Sequence, residues 1–247
     1  MKTGAGRVKL TIAYDGTRYH GWQVQKNADT VQKRLGDALC GLFNEKIDVT
    51  GCSRTDSGVH ALGFCCHFDK SSPFPTAHLP AALNARLPQD ISVLKASDVP
   101  GDFHARYDCK SKTYRYLIYN SSERSPFYIN RAEFFSGSLD IGKMRSEAES
   151  LIGTHDFRAF MAAGSKIEDT VRTVYSVSLE KASELICFEI CGNGFLYNMV
   201  RIIAGTLIDA GRGKAKMPMS DIISSRRREN AGKTAAPCGL YLKQVTY

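Results

Sequence analysis

The sequence predicts an α+β fold built from two similar α/β sandwich halves with mixed or antiparallel sheets. Three observations carry this. Period-two hydrophobic runs are interleaved with helical stripes in mixed order, a hairpin pattern sits in each half, and the second half repeats the kinds of element seen in the first. Helices would cover one face of each sheet, leaving the open faces either to meet or to form a cleft. The halves divide at residues 1–106 and 107–247, inside a length of 247 residues that suits one large domain or two smaller ones.

Each element has its own signal. Val8, Leu10, Ile12 and Tyr14 alternate with polar residues and predict a strand, followed by a loop through Asp15-Gly16 and Gly21. Thr30 is placed to cap a helix whose apolar stripe is Val31, Leu35, Ala38, Leu39, Leu42 and Phe43. Ile47–Thr50 predicts a short strand, Gly51–His60 a loop and Leu62–Phe68 another strand. Pro75–Leu87 reads as helical, with Pro80 early in it, and Ile91–Leu94 as extended. Tyr107–Asn120 predicts a long strand joining the halves. Leu139–Ile152 is a helix by the spacing of Ile141, Met144, Ala148 and Leu151. Val171–Leu179 and Leu185–Ile190 are strands around a Lys181-Ala182-Ser183 turn. Phe195–Ala210 reads as a helix apolar over most of its surface, stopped by Gly211 and Gly213. Ser220–Arg228 predicts a short basic helix and Leu240–Val245 a final strand.

Composition narrows the partners. Lys and Arg number 33 against 25 Asp and Glu, a net charge of +8 with a pI near 9.1. That balance favours a polyanion: nucleic acid, an anionic membrane surface or a phosphorylated small molecule. Met1–Leu10 is basic but lacks the apolar core of a signal peptide, and the most apolar stretch, Phe195–Ala210, contains Asn198, Arg201 and Asp209, so no membrane span is expected. Eight cysteines stand at 40, 52, 65, 66, 109, 187, 191 and 238 with no Cys-x-x-Cys pair, which predicts reduced cytosolic thiols used as small hydrophobes and no metal site. The sequence has no P-loop, dinucleotide fingerprint or His-Glu-x-x-His.

The densest chemistry lies in Gly51-Cys52-Ser53-Arg54-Thr55-Asp56-Ser57-Gly58-Val59-His60-Ala61. A guanidinium, hydroxyls, a carboxylate and an imidazole are packed between two apolar strands, the usual setting of a site on a scaffolded loop. The bland alternative is a polar turn with a local ion pair.

Arg54-Thr55-Asp56-Ser57-Gly58-Val59-His60-Ala61 resembles the catalytic signature of the bacterial-type tRNA pseudouridine synthase A family. Further blocks resemble the family in order: Tyr14-Asp15-Gly16 with His20-Gly21-Trp22-Gln23; Phe103-His104-Ala105-Arg106 with Lys112-Thr113-Tyr114-Arg115-Tyr116; Gly194-Phe195-Leu196-Tyr197-Asn198-Met199-Val200-Arg201; and Ala236-Pro237 with Gly239-Leu240-Tyr241-Leu242. Ser53 and Ser57 stand where the family often has Gly and Ala, and the segment around Cys238 is short.

The resemblance implies an isomerase that moves the uracil link from N1 to C5, acting on uridines of the tRNA anticodon stem-loop. It implies ferredoxin/RRM-like halves, a cytoplasmic homodimer and no cofactor. It makes Asp56 the catalytic nucleophile or base, Arg201 its ionic partner, Tyr114 the ring that stacks on the target base, and Arg54 a residue that helps hold or replace a flipped nucleotide. Asp56, Tyr114 and Arg201 are then expected to converge in a central basic cleft. The residues also admit plainer fates. Tyr114 reads equally as a cross-strand aromatic. His60 and His104 read as hydrogen-bonded polar residues rather than acids. Trp22 either packs on the core or presents a stacking surface. Arg226-Arg227-Arg228 is a solvated face or an RNA backbone contact. Two other functions fit the residues: a non-catalytic RNA-binding protein on the same scaffold, and a carboxylate-dependent hydrolase with Asp69, Asp102 or Asp108 as a second carboxylate.

Overall fold

Alternation in the first strand translates directly into burial. In the computed structural model, which describes residues 6–164 and 167–247, strand β1 (Gly6–Tyr14) buries Val8, Leu10, Ile12 and Tyr14. Part of the basic segment Met1–Leu10 therefore lies outside the described residues. The chain folds as two compact units: the first runs to Lys110 and takes in Leu242–Tyr247, and the second is Ser111–Tyr241.

In the first unit, helix α1 (Val31–Phe43) begins at Thr30, whose side chain accepts from Lys33 N–H, and ends at Asn44 in the left-handed region with φ 52°. The stretch Ile47–Thr50 buries Ile47 and Val49, but only β2 (Thr50–Gly51) pairs, against His67 and Cys66. Strand β3 (His60–Lys70) runs antiparallel to β1, from Gly6 opposite Lys70 to Tyr14 opposite Ala61. The predicted helix over Pro75–Leu87 is shorter and split into a 3-10 turn at Thr76–His78 and α2 (Leu79–Asn84). Strand β4 (Ile91–Val99) extends past Leu94 and pairs antiparallel with β1 along its length.

The second unit opens with β5 (Ser111–Asn120); Tyr107–Lys110 lie before it, with Asp108 N–H bonded to His104 O in a turn. Strand β6 (Glu133–Phe135) pairs parallel to β5, which makes this sheet mixed. Helix α3 (Ile141–Glu149), capped by the Asp140 carboxylate, is followed by β7 (Gly153–Asp156). Strand β8 (Val171–Ala182) turns at Ser183, φ 54°, into β9 (Leu185–Gly192), which pairs antiparallel with both β8 and β5. Strands β6 and β7 are too short for a period to show in the sequence.

Helix α4 (Met199–Gly211) starts later than the apolar run, because Asn198 takes a left-handed conformation with φ 59°. Of its residues, only Arg201 and Asp209 are not buried. Gly211 is the last helical residue, and its role is close approach: a Cβ there would meet Met144 Sδ of α3 at 2.7 Å. Helix α5 (Met219–Ser225) ends where Arg226 turns left-handed at φ 54°, shorter than the predicted Ser220–Arg228. The last strand, β10 (Leu240–Thr246), begins in the second unit and finishes in the first, where Lys110 N–H bonds to Thr246 O and Tyr247 donates to Ala105 O. The eight cysteines are free thiols. The architecture is α+β with antiparallel and mixed pairing, as the interleaved periodicities predicted.

Candidate active site

The loop between β2 and β3 is anchored at Thr55 and again through Tyr19. Thr55 is buried, and its hydroxyl shares a 2.9 Å hydrogen bond with Tyr14 Oη at the end of β1. Its carbonyl accepts from Trp22 N–H at 3.2 Å. Gly21 makes this contact possible: with φ at +80°, a Cβ would lie 2.2 Å from Thr55 O. On either side of Thr55, Arg54 is exposed and Asp56 partly exposed. Beyond Asp56 the chain turns, with Val59 N–H bonded to Asp56 O. Tyr19 O accepts from Gly58 N–H at 3.2 Å and from the Ser57 hydroxyl at 3.3 Å. A carboxylate thus stands at the surface on a backbone fixed to β1 and to the 19–22 loop. Such a group can meet a substrate without first being ordered.

Trp22 packs on the core. It is 3% exposed and stacks on Phe64 with centroids 4.1 Å apart. His60 is buried, and its Nδ1 accepts from Gly16 N–H at 3.0 Å with Asp15 Oδ1 3.1 Å away. Nδ1 of His104 accepts from Arg106 and Tyr107 N–H, and its ring stacks on Tyr107. Both histidines organise loop backbone, as hydrogen-bonded polar residues do.

In the second unit, Tyr114 is buried on β5, opposite Ile190 in register, and meets the Phe195 ring edge-on at 5.1 Å. Arg201, near the start of α4, donates from Nε to Ala235 O at 2.9 Å and from a terminal nitrogen to Asn198 Oδ1 at 2.8 Å. Its own carbonyl accepts from Ala235 N–H. Arg201 therefore organises the left-handed residue that starts α4 and the 231–236 segment running alongside.

Behind that segment is a polar group that the sequence did not single out. The buried Tyr116 hydroxyl has one hydrogen and two acceptors in reach, Glu133 Oε2 at 2.5 Å and Ala236 O at 2.8 Å. Burial, and then the Glu133 carboxylate, push its pKa well above the ordinary tyrosine value. The same carboxylate also accepts from Ala236 N–H. Tyr14 and Gly21 stand in the motif blocks, but nothing local in the sequence marks them as supports of the Asp56 loop. Glu133 had no signal because its strand is three residues long.

The structure places Arg54 and Asp56 in the first unit and Tyr114 and Arg201 in the second. The arginine run does not act as one face. Arg226 pairs with Asp156 at 3.3 Å, Arg228 is partly buried and donates to Gly232 O at 2.8 Å, and Arg227 is exposed. The hydrolase alternative finds little support. Asp69 is paired with Arg7 at 2.7 Å at the far end of β3 from the loop, and Asp108 caps His104 N–H. Among the described residues no group of His, Cys, Asp and Glu could hold a metal ion.

A sequence model of the tRNA pseudouridine synthases matches residues 10–108 and 148–247. The chain belongs to that family, whose members are isomerases converting uridine to pseudouridine. Among its relatives, tRNA pseudouridine synthase A of Acetivibrio thermocellus is 51% identical over 241 residues, which is 97% of this chain and 99% of that one. The protein of the same name from Ruminiclostridium cellulolyticum is 49% identical over 243 residues, covering 98% and 99%. That of Thermoanaerobacter sp. (strain X514) is 48% identical over 241 residues, covering 97% and 99%. The resemblance carried by the ordered motifs extends over nearly the whole chain.

Proposed function

We propose that this protein isomerises uridine to pseudouridine in the anticodon stem-loop of tRNA, with Asp56 as the catalytic carboxylate. The observation that carries the assignment is the placement of Asp56: partly exposed, beside an exposed arginine, on a loop fixed through Thr55 and Tyr19. The target nucleotide must leave its stack before the C1′–N1 bond can be reached. Asp56 then acts as nucleophile or base while that bond breaks, the uracil rotates, and C1′ joins C5. N1 gains a proton and C5 loses one, so the balance needs no co-reactant. Arg54, Tyr114 and Arg201 are the substrate-binding residues: the two guanidinium groups for the nucleotide's charge or the Asp56 carboxylate, and the phenol ring for stacking, worth about 1–3 kcal/mol per base.

The excess of 33 basic over 25 acidic side chains suits a polyanionic substrate. The family resemblance supports a homodimer in the cytoplasm that needs no cofactor or metal. Among the described residues no helix is long and apolar enough to cross a membrane.

The test is pseudouridine formation on unmodified tRNA by the wild type and by Asp56→Asn, with tRNA affinity measured in parallel. Turnover by the wild type, and binding without turnover by the variant, is the expected result. Binding without turnover in both would make this an RNA-binding protein. Absence of both would remove tRNA as the substrate.

A further inference from the structure

One end of α4 holds Arg201, and the other borders a cavity that the reaction does not use. It has a volume of about 200 Å³ and is lined by Thr206, Asp209, Lys214, Lys216, Asn230 and Lys233 among others. At about 30 Å³ per water, it holds some six or seven waters, room enough for a hydrated phosphate group. Its charge is strongly one-sided. Three lysines face a single carboxylate, and that carboxylate, Asp209, lies 3.6 Å from Arg212. Lys216 donates to the Glu229 carbonyl, which holds one ammonium in place. Lys214 and Lys233 are exposed.

The wall of this cavity is also the support of Arg201. The segment from Gly232 to Ala235 is pressed along α4: Gly232 N–H donates to Thr206 Oγ1 at 2.9 Å, and Ala235 N–H donates to Arg201 O at 3.1 Å. Between them, a Cβ on Gly205 would lie 1.9 Å from Lys233 O, so backbone meets backbone with no side chain between. At 1.5 Å per residue, Thr206 and Asp209 stand about 8 and 12 Å along the helix axis from Arg201. One rigid strip therefore carries Lys233 at the cavity and the carbonyl that Arg201 grips.

We propose that this cavity is a docking site for one backbone phosphate of the RNA substrate, held by Lys214 and Lys233, which sets the register of the RNA relative to Arg201. The inference rests on the reading of the protein as a tRNA-modifying enzyme. Phosphate contacts fix position without reading sequence, and each releases a condensed counterion. Loss of one such contact lowers the slope of log affinity against log salt by about 0.7 to 0.9, or about four- to fivefold in affinity at 0.15 M salt.

The experiment compares wild type with Lys214→Ala/Lys233→Ala and with Lys214→Arg/Lys233→Arg. It reads the salt dependence of tRNA binding, and KM and kcat for pseudouridine formation. The expected result for the alanine variant is a salt slope smaller by about one contact, a KM raised about fivefold, and kcat at saturating tRNA near wild type, with the arginine variant restoring the slope. An unchanged slope and KM in the alanine variant, with wild type active, would overturn the inference and leave the function standing. A wild type that neither binds nor modifies tRNA would instead remove the reading on which it rests. Titration with inorganic phosphate separates the remaining source. Saturable binding at these lysines, with tRNA binding unaffected by their loss, would assign the cavity to a free anion and overturn the RNA contact.

Discussion

Gly21→Ala is the substitution that best separates the support of the catalytic loop from its chemistry. Two costs can be worked out. At φ +80° a side chain at this position suffers about 1–2 kcal/mol of backbone strain. The added Cβ would also stand 2.2 Å from Thr55 O, and 3.1 Å from the Asp56 carbonyl carbon, so the loop must retreat by about 1 Å to restore an ordinary contact. That movement strains the Trp22 N–H to Thr55 O bond, now 3.2 Å and worth about 1 kcal/mol. The expected loss is about 2–4 kcal/mol in the first unit. Because a displacement near 1 Å can cost on the order of 100-fold in rate, activity should fall further than the folded population does. The assay is urea unfolding followed by the fluorescence of Trp22, the only tryptophan in the chain and part of this contact, together with single-turnover pseudouridine formation. An unfolding midpoint and a rate both equal to wild type would refute the claim that close approach at Gly21 sets the position of Asp56.

Three further outcomes are expected. Gly36→Ala, inside α1 with nothing beyond its chain neighbours and the helix's own backbone within 4 Å of the new Cβ, should stabilise the first unit by about 0.5–1 kcal/mol and leave turnover unchanged, read by the same unfolding curve. Tyr116→Phe removes the donor shared by Glu133 and Ala236, and should lower the stability of the second unit by about 1–3 kcal/mol in urea titration. Glu147 supplies a pH test. Burial opposes its charge, but hydrogen bonds from Lys143 and Met219 N–H outweigh burial and hold its pKa below the ordinary 4.5. A carboxylate depressed on folding stabilises the native state above its unfolded pKa, and the stabilisation is lost as pH falls through the folded value. The second unit should therefore lose stability from about pH 4.5 downward, and Glu147→Gln should flatten that part of the pH profile. An unchanged acid limb in the variant would exclude Glu147 as its cause.

Much of this protein was legible without coordinates, for reasons specific to each element. The alternation of Val8 to Tyr14 and the stripe from Val31 to Phe43, capped by Thr30, are local patterns, and both elements formed as read. The Arg54–His60 loop was legible because several kinds of polar group crowd between two apolar strands, and the family because its motifs recur in order. Tertiary structure decided what depends on partners far apart in sequence. Asn198, turned left-handed and held by Arg201, delays the start of α4 within a mostly apolar stretch. Strands β6 and β7 exist only through the longer strands they pair with, Ser111–Asn120 and Val171–Ala182. Gly211 is small because Met144 packs against it, and Gly21 because Thr55 does, contacts that no periodicity in the sequence records. A periodic pattern reports which face of an element avoids water. Which backbone lies close against that face is set by residues elsewhere in the chain, and only the folded structure brings them there.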